Sequence, residues 1–237
     1  MVRGQKFLFI HLHKTGGQFV RELMLEHMPG TEDVGYHYPR RLTPEADREL
    51  PVIGFVRNPW AWYVSWYSFN ARAPMKNPLF RVLSQRGKNG FDKTVRHLLA
   101  LGADTHRARL LRERLDIVLP DTLEGNRGIG LTRPCMAKFE DPSIGYYSWQ
   151  FQRMFGVGTE LEDLARIGRT ENLRGDLLRL LTALHIPLGE SAQSFLESAG
   201  NRNTSEHRPY QEYYDAGLRD EVRRQDAYLI DRYGYEF

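Results

Sequence analysis

Short apolar runs alternate with amphipathic segments along this chain. The first run, KFLFIHL at residues 6–12, is typical of a strand that is buried on both faces in a parallel sheet. The segment from Gln18 to His27 follows it and places Phe19, Leu23 and Met24 on one face of a helix. The pattern therefore predicts a strand, a tight loop and a helix.

The same order recurs over residues 51–70. PVIGFVR is typical of a second buried strand. Asn58 and Pro59 are the residue types favoured at the N-cap and at the first position of a helix. The sequence WAWYVSWYSFN is then expected to form that helix.

Later in the chain we expect another strand around Leu164 to Gly168, a helix after it, and a last helix from about Gln211. Strands that alternate with helices predict an α/β domain with a mostly parallel sheet and right-handed crossovers. Both helices are supported by apolar residues at helical spacing: Leu173, Leu177, Leu180, Leu181, Leu184, Leu218, Val222 and Leu229.

Length and composition favour one domain over residues 1–237. A hydrophobic content of 41% is enough for one substantial core, and no stretch rich in Gly, Ser or Pro divides the chain. Residues 71–136 are rich in arginine and turn residues, with a helix expected in FDKTVRHLLAL. The net charge of +3 is modest and acids are interleaved with the bases, so we do not expect a nucleic-acid partner.

Cysteine count and hydropathy exclude further classes. The single Cys135 excludes an internal disulfide and a multi-cysteine zinc site, and no residues have metal-ligand spacing, so no metal is expected. The first apolar run is too short for a signal peptide, and no later segment approaches the roughly 20 apolar residues that span a bilayer. We expect a cytoplasmic protein without a membrane span.

The loop HKTGGQ between the first strand and helix has the ingredients of a phosphate site. In the nucleotide-binding pattern G-x-x-x-x-G-K-[ST] the glycines precede the lysine, but here Leu8 and His13 occupy those two positions. Gly16 and Gly17 instead follow Lys14. Glycines allow close backbone approach, and a helix N-terminus and a lysine both attract anions. The loop is expected to bind an anion, and the alternative is a tight turn with a solvated lysine.

A second phosphate site is predicted after the second strand. Arg57 lies at the carboxyl end of that strand, where open α/β sheets bind ligands. Ser65 comes seven residues after Asn58, which is about two helical turns, so it shares a helix face with the cap. A guanidinium and a hydroxyl would suit a phosphate. The alternative is a surface arginine and an ordinary helical serine.

Together these motifs resemble a known family. H-L-H-K-T-G-G followed by F-V-R-N-P-W-A-W-Y-V-S-W-Y is similar to the cofactor motifs of sulfotransferases that use 3'-phosphoadenosine 5'-phosphosulfate (PAPS), in the branch with carbohydrate enzymes and bacterial members. R-T-E-N-L-x-x-D-L, G-Y-Y-S-W and D-A-Y-L-I-D-R-Y-G-Y-E-F are also similar to that branch. The resemblance implies a P-loop-like three-layer α/β fold, with residues 71–136 as an acceptor-binding insertion.

The resemblance also implies site residues. Arg57 and Ser65 would hold the 3'-phosphate. Position and charge, rather than the resemblance, predict that Arg208, or less favourably Arg202, contacts a phosphate from a C-terminal loop. Two positions depart from the family, which usually has proline at His13 and a small hydroxyl residue at Gln18. The residues that would hold the 5'-phosphosulfate are Lys14, Thr15, Gly16, Gly17, Gln18 and Phe19.

Sulfuryl transfer needs a cation near the departing phosphate and a base for the acceptor hydroxyl. Lys14 is the only lysine in the loop and is assigned to leaving-group stabilisation. His37 resembles the histidine that carbohydrate sulfotransferases place before the second strand as the general base. His11 is the next candidate for the base, with a structural role in bracing the loop as its alternative.

The acceptor is expected to be a glycan, a phenol or another alcohol. The arginines in HRARLLRERL and the tract 87–93 could bind an acidic glycan or form a solvated face. Aromatic side chains suggest either a sugar-binding cleft or an ordinary core: Trp60, Trp62, Trp66, Tyr67, Tyr146, Tyr147 and Trp149.

Two other function classes remain open. A P-loop kinase-like phosphotransferase would need magnesium carboxylates, for which only Asp121 lies near an apolar run. A non-catalytic nucleotide-binding protein would keep the pocket without the reaction, and the departures at His13 and Gln18 are the hints of it.

Overall fold

The computed structural model describes residues 1–123, 131–137, 139, 141, 143–158, 165–200 and 207–237. The chain packs into two units, and each unit is built from two separate stretches of sequence. The first unit comprises Met1–Arg57 and Phe151–Thr204, and the second comprises Asn58–Gln150 and Ser205–Phe237. The single domain expected from composition remains a prediction.

The described helices are distributed over both units. They are α1 Gly17–His27, α2 Pro59–Ala71, α3 Pro78–Leu83, α4 Phe91–Leu99, α5 His106–Val118, α6 Arg133–Met136, α7 Tyr146–Phe155, α8 Leu173–Ala183, α9 Glu190–Ser198, α10 Ala216–Gln225 and α11 Ala227–Tyr233.

A mixed five-stranded sheet, counted over the described residues, lies in the first unit. Its strands are β1 Val2–Arg3, β2 Leu8–Phe9, β3 Glu32–Asp33, β4 Val52–Val56 and β5 Ala165–Arg169, in the order β3-β1-β2-β4-β5. β2, β4 and β5 pair in parallel, whereas β1 pairs antiparallel with both β2 and β3. The α/β class is confirmed, but only part of the sheet is parallel.

The antiparallel part of the sheet has a local cause. Only residues 4–7 connect β1 to β2, and Gly4 N–H donates to the Phe7 carbonyl at 2.9 Å. So short a connection allows only antiparallel pairing. β2 is also shorter than the predicted run, although the Ile10 N–H still bonds the Ile53 carbonyl at 3.0 Å before the chain turns away.

Helices cover both faces of this sheet. On one face α1, α8 and α9 pack on side chains of the strands, and Leu177, Leu180 and Leu181 of α8 are buried there as the leucine spacing predicted. On the other face the ring of Phe155, at the end of α7, lies against Gly54 of β4. A Cβ atom on Gly54 would lie 2.1 Å from that ring, so only glycine fits. Strand β4 is thus buried on both sides, as its apolar run predicted.

The second unit is helical within the described residues. α2 begins as predicted, because the Asn58 side chain accepts from the Ala61 N–H at 3.2 Å and Pro59 is the first helical residue. The predicted helix in FDKTVRHLLAL is α4. One last helix was predicted from near Gln211, but the structure has two, α10 and α11, which divide at Asp226. α10 starts at Ala216, because Asp215 caps it by accepting from the Leu218 N–H at 2.6 Å.

Candidate functional site

The predicted phosphate loop has two left-handed backbone positions. Lys14 has a φ of 62° and Gly16 a φ of 74°, and they turn the chain from the end of β2 into α1. The Thr15 hydroxyl donates to the Leu12 carbonyl at 2.8 Å and is buried. Thr15 therefore holds the turn from inside, and the partly exposed residues among 14–18 are Lys14, Gly16 and Gln18.

Gly16 is required for a second reason. A Cβ atom at this position would lie 2.9 Å from Cδ2 of Leu173. Leu173 belongs to the R-T-E-N-L motif, so this motif packs directly against the loop. In the same motif Thr170 donates to the Val56 carbonyl at 3.0 Å and Arg169 N–H donates to the Asp176 carboxylate at 2.6 Å. These contacts give the motif a structural role in the first unit.

The N-terminus of α1 suits an anion. Among the described residues no side chain caps the helix at Gly16, and the first turn contains no acidic residue. The N–H groups of a first turn have no acceptor within their own helix, and the helix dipole makes this end positive. Arg57 adds a nearby cation, since its Nη1 lies 3.5 Å from the carbonyl oxygen of Lys14.

Two of the predicted loop ligands are partly committed to other contacts. The ring of Phe19 is buried in the core, 5.0 Å from the Phe195 ring, and its N–H donates to the Gly16 carbonyl at 3.1 Å. The Gln18 amide Nε2 donates to the hydroxyl of Tyr36. The structure therefore brings residues 14–18 together at the start of α1, while the Phe19 side chain faces inward.

His11 braces the loop. A Cβ atom on Gly17 would lie 1.9 Å from Cδ2 of His11, so the imidazole is packed closely against the first residue of α1. His11 is 4% exposed, and its Nδ1 has no hydrogen-bond partner among the described residues. Burial, together with the neighbouring His37 and His13, holds the pKa of His11 well below its usual value, so the ring is neutral.

His37 is held in one tautomer. Its Nδ1 lies 2.6 Å from the carbonyl oxygen of His11. Because a carbonyl can only accept, Nδ1 carries the proton and Nε2 presents a lone pair. Burial lowers the pKa of His37 to about 4, against the opposing effect of that hydrogen bond, so the ring is neutral at pH 7. The residue also has a φ of 56°, an uncommon conformation for histidine.

Two residues around His37 were not recognised as site residues from the sequence. The His13 ring stacks on His37 at 3.7 Å between centroids, and the Tyr36 ring meets His37 edge-on at 4.2 Å. Burial, with the charges of His37 and Arg153, holds the pKa of His13 well below its usual value. Two features of the sequence could have indicated them. His11 and His13 lie two residues apart after a predicted strand, and Tyr36 directly precedes His37.

Two predicted phosphate ligands belong to the second unit. Ser65 is buried on α2. The Arg208 side chain is exposed, lies 3.4 Å from the Glu212 carboxylate and has its guanidinium 5.3 Å from the centre of the Tyr213 ring. The weaker candidate, Arg202, lies outside the described residues. The assignment of Ser65 and Arg208 to a phosphate remains a prediction.

The aromatic residues proposed for a sugar cleft mostly form the core of the second unit. Trp62 stacks on Tyr147 at 4.3 Å, and both are buried. Trp60, Trp66 and Tyr146 are buried as well, whereas Tyr67 and Trp149 are partly exposed. For the five buried rings the core interpretation is therefore correct.

The G-Y-Y-S-W motif surrounds a buried carboxylate in the second unit. Asp226, between α10 and α11, accepts from the Ser148 N–H and hydroxyl at 2.8 and 2.7 Å and from the Tyr63 hydroxyl at 2.7 Å. A Cβ atom on Gly145 would lie 2.6 Å from this carboxylate, so glycine is needed there. Burial raises the pKa of Asp226. The motif has a clear structural function.

The arginines of α5 and Asp121, which the sequence offered as ligands for a glycan and for magnesium, make contacts within the protein. Within the basic segment of α5, Arg109 pairs with Asp104 at 2.6 Å, and Arg112 donates to the carbonyls of Leu101 and Ala103 at 2.6 and 3.0 Å. Asp121, the carboxylate considered for magnesium, is largely exposed and lies 3.5 Å from Arg133 Nε.

The chain has no match among known proteins, and its described residues show no membrane span and no metal site. No known family, curated protein or solved structure matches this chain. Over the described ranges, no helix has both the length and the apolar character to cross a bilayer. Within the same ranges, no three or more His, Cys, Asp and Glu side chains are grouped as a metal site would require.

Proposed function

We propose that this chain is a sulfotransferase that moves a sulfuryl group from PAPS to an acceptor hydroxyl by in-line displacement. The observation that carries the proposal is the loop at residues 14–18, which leads from the carboxyl end of β2 into an uncapped helix N-terminus. The start of a helix presents backbone N–H groups and a positive dipole to an anion. The resemblance of the two cofactor motifs supports the 5'-phosphosulfate as that anion.

Lys14 would assist the departure of the leaving group. Negative charge builds on the phosphate oxygen as the bond to sulfur breaks, and a fixed cation beside that oxygen lowers the barrier. The left-handed conformation of Lys14 places its backbone at the tip of the turn, next to the N-terminus of α1. Its ammonium can reach the bound anion from there.

His37 is the better of the two candidate bases. Its Nε2 presents a lone pair, because Nδ1 is bonded to the His11 carbonyl. The ring of His11, by contrast, is packed against Gly17 and supports the loop. A pKa of about 4 makes His37 a weak base in the free protein. A bound anion favours the protonated form, so PAPS would raise that pKa toward the range useful for proton transfer.

The low pKa of His37 is also the observation that favours a second candidate. A nucleotide-binding protein without catalysis would need the loop but no effective base. Incubation with labelled PAPS and a panel of alcohols separates the two, since both candidates bind PAPS and only an enzyme transfers the label.

The binding step is tested by calorimetry with adenosine 3',5'-bisphosphate, PAPS and ATP. Arg57 and Ser65 are proposed to hold the 3'-phosphate, so the bisphosphate and PAPS should bind well above ATP. Ser65→Ala should weaken ligands with a 3'-phosphate by about 1 to 3 kcal/mol and leave ATP nearly unaffected. Equal affinities of the wild type for the bisphosphate and ATP would contradict the proposal.

A further inference from the structure

The hydroxyl of Tyr36 lies at the first turn of α1. The Nε2 atom of Gln18 donates to it, and Gln18 is the second residue of that helix. Tyr36 is 39% exposed, so part of the residue is accessible from solvent. One exposed phenol therefore sits beside the helix end that is expected to bind an anion.

The hydroxyl proton of Tyr36 is available to donate to a ligand. A phenol can accept and also donate one hydrogen bond, and the bond from Gln18 uses the accepting side. Among the described residues no acceptor receives the Tyr36 O–H. Burial raises the pKa of Tyr36, so the hydroxyl keeps its proton at neutral pH. A neighbouring cation, Arg21, has its guanidinium 5.8 Å from the ring centre and is paired with Asp33 at 2.5 Å.

The same side chain also contacts the candidate base. The Tyr36 and His37 rings meet edge-on, with 4.2 Å between their centroids. The two residues are consecutive in the chain, so the hydroxyl and Nε2 of His37 are carried by one short segment. A group bound at the start of α1 can thus be positioned by the residue that precedes the base.

We propose that the Tyr36 hydroxyl donates a hydrogen bond to the anion held at the first turn of α1, and that Gln18 is the positioning residue for this hydroxyl. The inference rests on the proposed function in one respect, that the anion is the 5'-phosphosulfate of PAPS. The donor itself requires only an oxyanion at this helix end.

Tyr36→Phe tests the donor, because it removes the hydroxyl and keeps the ring. Calorimetry would use adenosine 3',5'-bisphosphate and inorganic pyrophosphate as probes. A lost hydrogen bond to a charged group should weaken both by roughly 10-fold or more. The matched control is Tyr38→Phe, in the same segment, whose ring packs against Gly35. This control should bind both probes as the wild type does.

Gln18→Leu tests the positioning role. It should also weaken both probes, and the double variant with Tyr36→Phe should bind no more weakly than Tyr36→Phe alone, because the two residues act through one hydroxyl. Adenosine 3'-phosphate, which has no 5'-anion, should bind all variants equally. A residue with only a structural role would affect this ligand too.

The outcomes distinguish the inference from the proposed function. Unchanged binding by Tyr36→Phe overturns the inference and leaves the function standing. Wild-type binding of pyrophosphate without any preference for the bisphosphate overturns the nucleotide assignment, and weaker pyrophosphate binding by Tyr36→Phe then still supports the donor. A wild type that binds neither probe overturns both.

Discussion

At the scale of single residues, His11, His13 and His37 form a histidine cluster in the first unit. The cluster combines several features that cost free energy. His37 has a left-handed backbone, is buried, and stacks on His13 at 3.7 Å. The bond from its Nδ1 to the His11 carbonyl fixes the tautomer. Strained conformations persist where the surroundings hold them and concentrate at functional sites. This cluster is consistent with selection for a defined imidazole orientation beside the loop.

The cluster predicts that the protein loses stability in mild acid. The pKa of His37 is about 4 in the folded chain and about 6.5 when unfolded, so the unfolded state binds more protons between these values. The contribution is fully present above pH 6.5 and is lost as pH falls toward 4. For His37 the loss is about 3 kcal/mol.

Chemical denaturation at several pH values measures this effect. His37→Asn should show a smaller loss between pH 6.5 and 4, with a remainder from His11 and His13, whose pKa values are also lowered. His106→Asn replaces an exposed histidine of α5 and serves as the control. If His37→Asn and the wild type show the same dependence on pH, the buried neutral state of His37 is wrong.

At the scale of elements, the turn from β2 into α1 depends on close packing at its glycines. Gly16 is left-handed and touches Leu173, and Gly17 touches the ring of His11. His11 and Leu173 belong to the two separate stretches of sequence that build the first unit. They fix where the first turn of α1 points, and thus where its N–H groups can meet an anion.

Gly17→Ala is predicted to disturb the loop and its ligand site together. Its Cβ would fall 1.9 Å from His11, so the imidazole or the helix start must move. We expect a loss of about 1 to 3 kcal/mol in the free energy of unfolding and weaker binding of adenosine 3',5'-bisphosphate. Gly189→Ala, at the N-cap of α9 where a Cβ meets nothing, is the control. Unchanged binding by Gly17→Ala would show that this contact does not shape the site.

At the scale of the whole chain, local signals predicted some features and not others. Strand β4 and the start of α2 follow from an apolar run and the Asn58-Pro59 pair, and both are confirmed. The start of α10 was missed because the cap, Asp215, lies four residues beyond the predicted start at Gln211. The antiparallel strand β1 was missed because only two residues pair.

The candidate site, too, could be predicted from the sequence only in part. The loop was recognisable because Lys14 and the glycines are contiguous in sequence. Its surroundings were not, because Tyr36 and Leu173 reach it only through the fold. The aromatic residues of α2 could not be assigned from spacing alone, since burial decides between a core and a cleft.

The most direct test of the account measures transfer of label from radiolabelled PAPS to a panel of glycans, lipids, phenols and peptides by the wild type and Lys14→Ala. We expect the wild type to label at least one acceptor class. Lys14→Ala should be slower by on the order of 100-fold with every acceptor used, because the leaving group is always the same. Lys6→Ala, at an exposed lysine of the same unit, should retain full activity. A wild type that labels no acceptor, or Lys14→Ala turning over as fast as wild type, would contradict it.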